Sequence, residues 1–98
     1  MHNAIFSGPV MSGHKEDAVE IPFDPAERWT LPLVRIGPRR QARAVWAVIG
    51  SHAFDGHVVT RSRRWWLLLP AALEAELGLQ AGDVVTVALG PPGLSATS

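Results

Sequence analysis

Cysteine is missing from all 98 residues, which rules out disulfides and thiolate zinc sites. Also missing is any apolar run near the roughly 18 residues that a membrane-crossing helix needs. The N-terminus carries no basic segment leading into an apolar core, the mark of a secretory signal. A cytoplasmic protein of bacterial type, without a membrane partner, is the expectation. No glycine-rich phosphate loop, kinase signature or dinucleotide fingerprint occurs either, so no cofactor is expected.

What is present describes one globular domain: 47% of residues are hydrophobic and 18% charged, well away from the composition of disordered chains. The net charge is zero, yet the charges are segregated. Residues 1–27 hold one base, Lys15, against Glu16, Asp17, Glu20, Asp24 and Glu27. Residues 28–64 hold eight arginines against Asp55 alone, and residues 65–98 hold only Glu74, Glu76 and Asp83. A basic middle of this kind marks either an anion-facing surface or a chain whose acidic ends fold back onto it.

Along the chain the signal is mostly β. Residues 1–17 show no period and read as a flexible tail, as do residues 91–98 after Pro91 and Pro92, which cannot continue a ladder. Between them, "AVEIPF" (Ala18–Phe23) alternates as a short edge strand, and "DPAER" (Asp24–Arg28) has turn chemistry. "WTLPLVRI" (Trp29–Ile36) reads as a strand bent at Pro32. "ARAVWAVIG" (Ala42–Gly50) and "HAFDGHVVTR" (His52–Arg61) read as strands joined at Gly50–Ser51, the second with a bulge at Gly56. In "RSRRWWLLLP" (Arg61–Pro70) the arginines read as a loop, and a strand begins at Trp65. "PAALEAELGLQAGD" reads as a short helix opened by Pro70 and stopped by Gly78. "VVTVALG" is the last strand.

The order "WTLP", "VWAVIGSHAF", "WWLLLPAALEAELGLQAGDVVTVALGP" resembles a small bacterial β-barrel domain of unknown function that occurs alone or ahead of the OmpD-associated (YdeI-type) domain. The likeness rests on Gly50 and Phe54, Trp66, the short helix, and the ending Gly82, Asp83, Val85. The same C-terminal pattern resembles, more distantly, the AbrB/MazE-type regulators, which are dimeric DNA binders. Those usually carry a basic residue in the helix where this chain has Glu74 and Glu76, and they are about half this length. The two resemblances imply a mainly β, six-stranded small barrel of double-split type over residues 18–90, with one short helix before the last strand.

Arg35, Arg39, Arg40, Arg43 and Arg61, Arg63, Arg64 form two groups expected at one end of that barrel. Arginine's planar fork suits phosphate and carboxylate recognition. A tentative ligand-binding rim of Arg39, Arg40, Arg43, Arg61, Arg63 and Arg64 follows, and solvated loop arginines paired with the acids of residues 16–27 would give the same pattern. Among Trp29, Trp46, Trp65 and Trp66, the expectation is that Trp46 and one of the adjacent pair lie inside, since a tryptophan buries about 150 Å² or more. Trp66 is the aromatic candidate for a partner. His52 and His57 lack a third ligand, so no metal site is expected. Ser51, His52 and Asp55 crowd one turn and cannot align as nucleophile, base and orienter. The expected protein is thus a binding module rather than an enzyme, taking an anionic ligand or protein partner, as monomer or homodimer. Nucleic acid is not the favoured ligand, and an AbrB-like DNA-binding regulator or antitoxin is the alternative.

Overall fold

A computed structural model of the chain describes residues 3–13 and 15–92. Seven strands and two short helices follow one another: β1 (Ala4–Met11), β2 (Ala18–Ile21), α1 (Pro25–Arg28), β3 (Leu33–Gly37), β4 (Arg40–Ile49), β5 (His52–Arg61), β6 (Arg64–Leu68), α2 (Ala71–Leu77) and β7 (Val84–Gly90). Every pairing is antiparallel, in the order β3-β4-β5-β6-β2-β1-β7, and β7 pairs in addition with β4. That last contact returns the ladder to β4. Six strands therefore form a closed circuit of pairings, with β3 attached outside it. No helix among the described residues is long and apolar enough to cross a membrane.

The expected tail is the first correction. Residues 4–11 form β1, which pairs with β7 from Ala4↔Leu89 to Pro9↔Val84 and with β2 at Val10↔Val19 and Met11↔Ala18. The strand alternates after all, with Ala4, Phe6 and Val10 buried between exposed neighbours. Gly8 and Pro9 hide this in the sequence. Pro9 is tolerated for a geometric reason. The Val10 N–H donates to the Asp83 carbonyl at 2.8 Å on the β7 side. Successive N–H groups point to opposite edges, so the missing donor of Pro9 faces the β2 side, where the ladder reaches only Val10 and Met11. Of the expected second tail, residues 93–98 lie outside the described residues.

Three further expectations change. The strand expected over residues 29–36 is confined to Leu33–Gly37. The turn at residues 24–28 is a single helical turn, α1, capped by Asp24 Oδ1 accepting from the Ala26 N–H at 2.9 Å. The β4–β5 register runs unbroken from Arg43↔Val58 to Ile49↔His52, so Gly56 makes no bulge. It answers instead to packing, because a Cβ there would stand 3.1 Å from Leu67 Cδ1 and 3.3 Å from Val45 Cγ2.

The interior is apolar throughout, and no polar or charged residue among those described is buried. Val10, Val19, Val45, Ala47, Val58, Leu67, Val87 and Leu89 are fully enclosed. On β4 the inward face is Val45, Ala47 and Ile49, so Trp46 is half-buried on the outer face and not in the core. Trp65 and Trp66 are both half-buried, Trp65 against the core margin and Trp66 outside it.

At the end of the β2–β6 pair where β6 begins, Phe23 meets Phe6 and Trp29 edge-on, with centroids 5.9 and 6.2 Å apart. The Arg28 guanidinium lies 4.1 Å above the Phe23 ring. α2 follows the other end of β6 and contributes Leu73 to the core. It stops, as expected, at Gly78, whose φ of 66° is the left-handed conformation that costs glycine least.

Because Phe6 is a buried core residue rather than part of a tail, Phe6→Ala is expected to lower stability by about 3–5 kcal/mol. Urea unfolding measures this, and an unchanged midpoint would contradict a structural role for β1.

Candidate functional site

Two tight turns carry the arginines. Pro38–Arg39 joins β3 to β4, and Ser62–Arg63 joins β5 to β6. The β4–β5 ladder ends at Arg43↔Val58, and along the chain both turns lie beyond that pair. The six rim residues then separate. Arg40 donates through Nη1 and Nη2 to the two carboxylate oxygens of Glu16, both at 3.3 Å and half-buried. Arg43 Nη1 donates to the Leu31 carbonyl at 3.1 Å. Arg64 Nη1 reaches Glu20 Oε1 at 3.4 Å in the open, with side chains 62% and 41% exposed. Arg39, Arg61 and Arg63 are exposed and make no ion pair among the described residues.

The β5–β6 turn breaks two local rules at once. Ser62 and Arg63 have φ of 55° and 65°, the geometry of a two-residue hairpin turn that asparagine and glycine normally occupy. For side chains with a Cβ this costs roughly 1 kcal/mol or more each. Across the same turn Arg61 pairs directly with Arg64, and like charges in that position repel. Trp66 steadies the turn from the outer face: its Nε1–H donates to the Arg61 carbonyl at 3.3 Å. The indole edge proposed for a partner is thus occupied by the chain itself.

A second feature lies on the outer face of the sheet, a groove of about 440 Å³. Glu16 and Arg40 form one wall, Asp55 and His57 another, and Leu68 and Pro70 add apolar lining. Asp55 and His57 share this face because they stand two residues apart on β5. The sequence reading weighed His57 only as a metal ligand and Asp55 only as a triad member, although strict alternation through Gly56 puts the two together. The assumed bulge concealed that.

His52 faces the opposite way from His57, as unbroken alternation requires. Its ring Nε2 lies 2.9 Å from Glu76 Oε2 on α2, while its buried Nδ1 has no hydrogen-bond partner among the described residues. No group of three metal-ligating side chains occurs among the described residues. Asp83 holds a turn, its Oδ2 accepting from the Gln80 N–H at 2.9 Å.

Sequence reasoning also missed the contact between Glu74 of α2 and Asp17 before β2. Burial, then a hydrogen bond to Asp17 and its negative charge, push Glu74 up from 4.5 to about 7. A protonated Glu74 can donate to Asp17, and its buried Oε2 otherwise meets no donor among the described residues. The Asp17 carbonyl also accepts from the Leu69 N–H at 2.9 Å, so this contact ties the segment before β2 to the entry of α2.

A closed antiparallel sheet with a short helix before its last strand, an arginine-bearing end and one outer groove define a small, mainly β domain. A family model described as Domain of unknown function (DUF1905) matches residues 6–89, from within β1 to within β7, and the chain belongs to that family. No curated protein matches it.

Folding raises the Glu74 pKa, so the folded chain holds this proton after the unfolded chain has released it. Stability from this group is therefore present toward pH 4.5 and declines as pH rises to about 7. Glu74→Gln, whose amide can donate to Asp17 at every pH, is expected to be more stable than the parent at about pH 8 and to lose that advantage at about pH 5. Urea midpoints at the two pH values test this, and an equal difference at both would contradict it.

Proposed function

We propose that the protein is a non-enzymatic binding module, a small barrel whose arginine-bearing end meets an anionic ligand or partner in the cytoplasm. The observation that carries this reading is the β5–β6 turn. It combines two left-handed residues that are not glycine with a like-charged cross-strand pair. Positions where a chain departs from its local preferences are where function is expected to be the compensation. An anion between Arg61, Arg63 and Arg64 would turn the repulsion into attraction. Arg39, on the β3–β4 turn, is a further exposed guanidinium without an ion pair among the described residues. Glu20 does not obstruct this: an exposed ion pair contributes only about 0–1 kcal/mol, so a phosphate or carboxylate can displace it. Arg40 and Arg43 act differently, holding Glu16 and the Leu31 carbonyl in place.

The choice of a binder over an enzyme rests on His52. Its Nε2 is engaged by Glu76 and its Nδ1 is enclosed, which leaves the ring without a nucleophile to activate. The alternative of an AbrB-like dimeric DNA-binding regulator loses its structural motive. That architecture recruits a second chain to complete its barrel, whereas one chain here returns to its own β4. The helix expected to carry a base in such proteins carries Glu74 and Glu76.

Binding of nucleotides, oligonucleotides and dicarboxylates, measured at about 20 mM salt, is expected to weaken linearly with the logarithm of salt. For a polyphosphate ligand, a variant with Arg39, Arg61 and Arg63 changed to glutamine should lose up to about three units of that slope, one per phosphate contact. If none of these anions binds at low salt, the reading is wrong.

A further inference from the structure

Asp55 is the only acid between Glu27 and Glu74, a stretch that holds eight arginines. Chance pairing would favour an arginine partner for it, yet Asp55 makes no ion pair among the described residues. Its position on the sheet explains this. The arginine-bearing turns lie beyond the Arg43↔Val58 pair, whereas Asp55 stands opposite Trp46, further along β4 and β5. There it borders two hollows, the outer groove of about 440 Å³ and a smaller one of about 130 Å³ walled by Trp46 and Ala53. Within the groove, Glu16 and Arg40 neutralise each other through two contacts of 3.3 Å. Asp55 is left as the unmatched charge, with His57 beside it as a further hydrogen-bonding group.

A free carboxylate next to an indole, with apolar lining close by, is the chemistry that recognises an organic cation. The carboxylate attracts the ammonium group, and the electron-rich face of the indole attracts it too. Leu68 and Pro70 supply surface for an apolar body. The volume falls within the range of about 300–1,000 Å³ common among small-molecule sites. We infer that the outer-face groove and the smaller hollow adjoining it at Asp55 form a second binding site, taking a small molecule that joins a primary ammonium group to an apolar chain, with Asp55 and Trp46 binding the cation. This site shares Arg40 with the arginine set, but as half of the Glu16 ion pair, and takes the opposite charge.

The probes are hexylammonium, hexanol and hexanoate, which share a chain and differ in the head group. Amide shifts of Asp55 and His57 and the Trp46 indole N–H resonance report binding in a two-dimensional NMR titration. Hexylammonium is expected to bind saturably in the millimolar range, hexanol several-fold more weakly, and hexanoate least of all. Asp55→Asn alters an exposed side chain and should preserve the spectrum of the folded protein. It is expected to weaken hexylammonium binding about three- to tenfold, to the level of hexanol, and to leave hexanol unchanged. Trp46→Leu should likewise weaken the ammonium more than the alcohol. Equal binding of ammonium and alcohol would overturn the inference. So would ammonium binding that survives Asp55→Asn, or the absence of any saturable shift.

Discussion

The pairing of β4 with β7 is the contact on which the rest of this molecule depends. β4 is ten residues long, and one of its edges meets two partners in turn. Arg40–Arg43 pair with β3, and Trp46–Ile49 pair with β7. The other edge pairs with β5 from Arg43 to Ile49. Without the second pairing, β7 would be an exposed edge and the interior would open to water between two strands. With it, the inward faces of six strands enclose an apolar space that accepts no polar residue, and α2 adds Leu73 to it. Closure in a small sheet also restricts what can point inward. Gly56 stands where even a Cβ would crowd Leu67 and Val45, and tryptophan is left to the margin and the outer face.

Because the interior is closed to charge, every ionisable group must find its place on the outside, and the segregation seen along the chain is resolved there. Acids from the segment between β1 and β2 and from β2 itself return to the basic middle as Glu16 on Arg40 and Glu20 on Arg64. Both interpretations of the charge pattern are therefore realised in part. Half of the rim arginines hold the chain's own oxygens, and the other half remain exposed. Two of the acids that make no ion pair among the described residues, Glu74 beside Asp17 and Asp55 beside Trp46, differ in what surrounds them. Burial and Asp17 hold Glu74's pKa above the usual carboxylate range, whereas Asp55 stays open to solvent.

Much of the local structure was legible. Gly50–Ser51, the extent of β5, the apolar run after Trp65, the stop of α2 at Gly78 and the end of β7 all follow from turn chemistry and alternation. β1 was not legible, because a proline and a glycine within eight residues normally argue against a strand. What admits them is the direction of one missing N–H relative to a ladder made by distant residues. The groove was obscured in the same way. A glycine inside a strand suggests a bulge, and only its neighbours Leu67 and Val45 show that it is there for lack of space.

By itself the sequence determined a mainly β domain, free of cysteine chemistry and with a basic middle, because composition and period-two patterning act over a few residues. Only the tertiary structure decided that the circuit closes on β4, which arginines are already engaged, and which acids are left without cations. Those outcomes depend on contacts between residues as far apart as Ala47 and Leu89 or Asp17 and Glu74. Contacts of that range are made by closing the sheet, and no local preference of the chain encodes them.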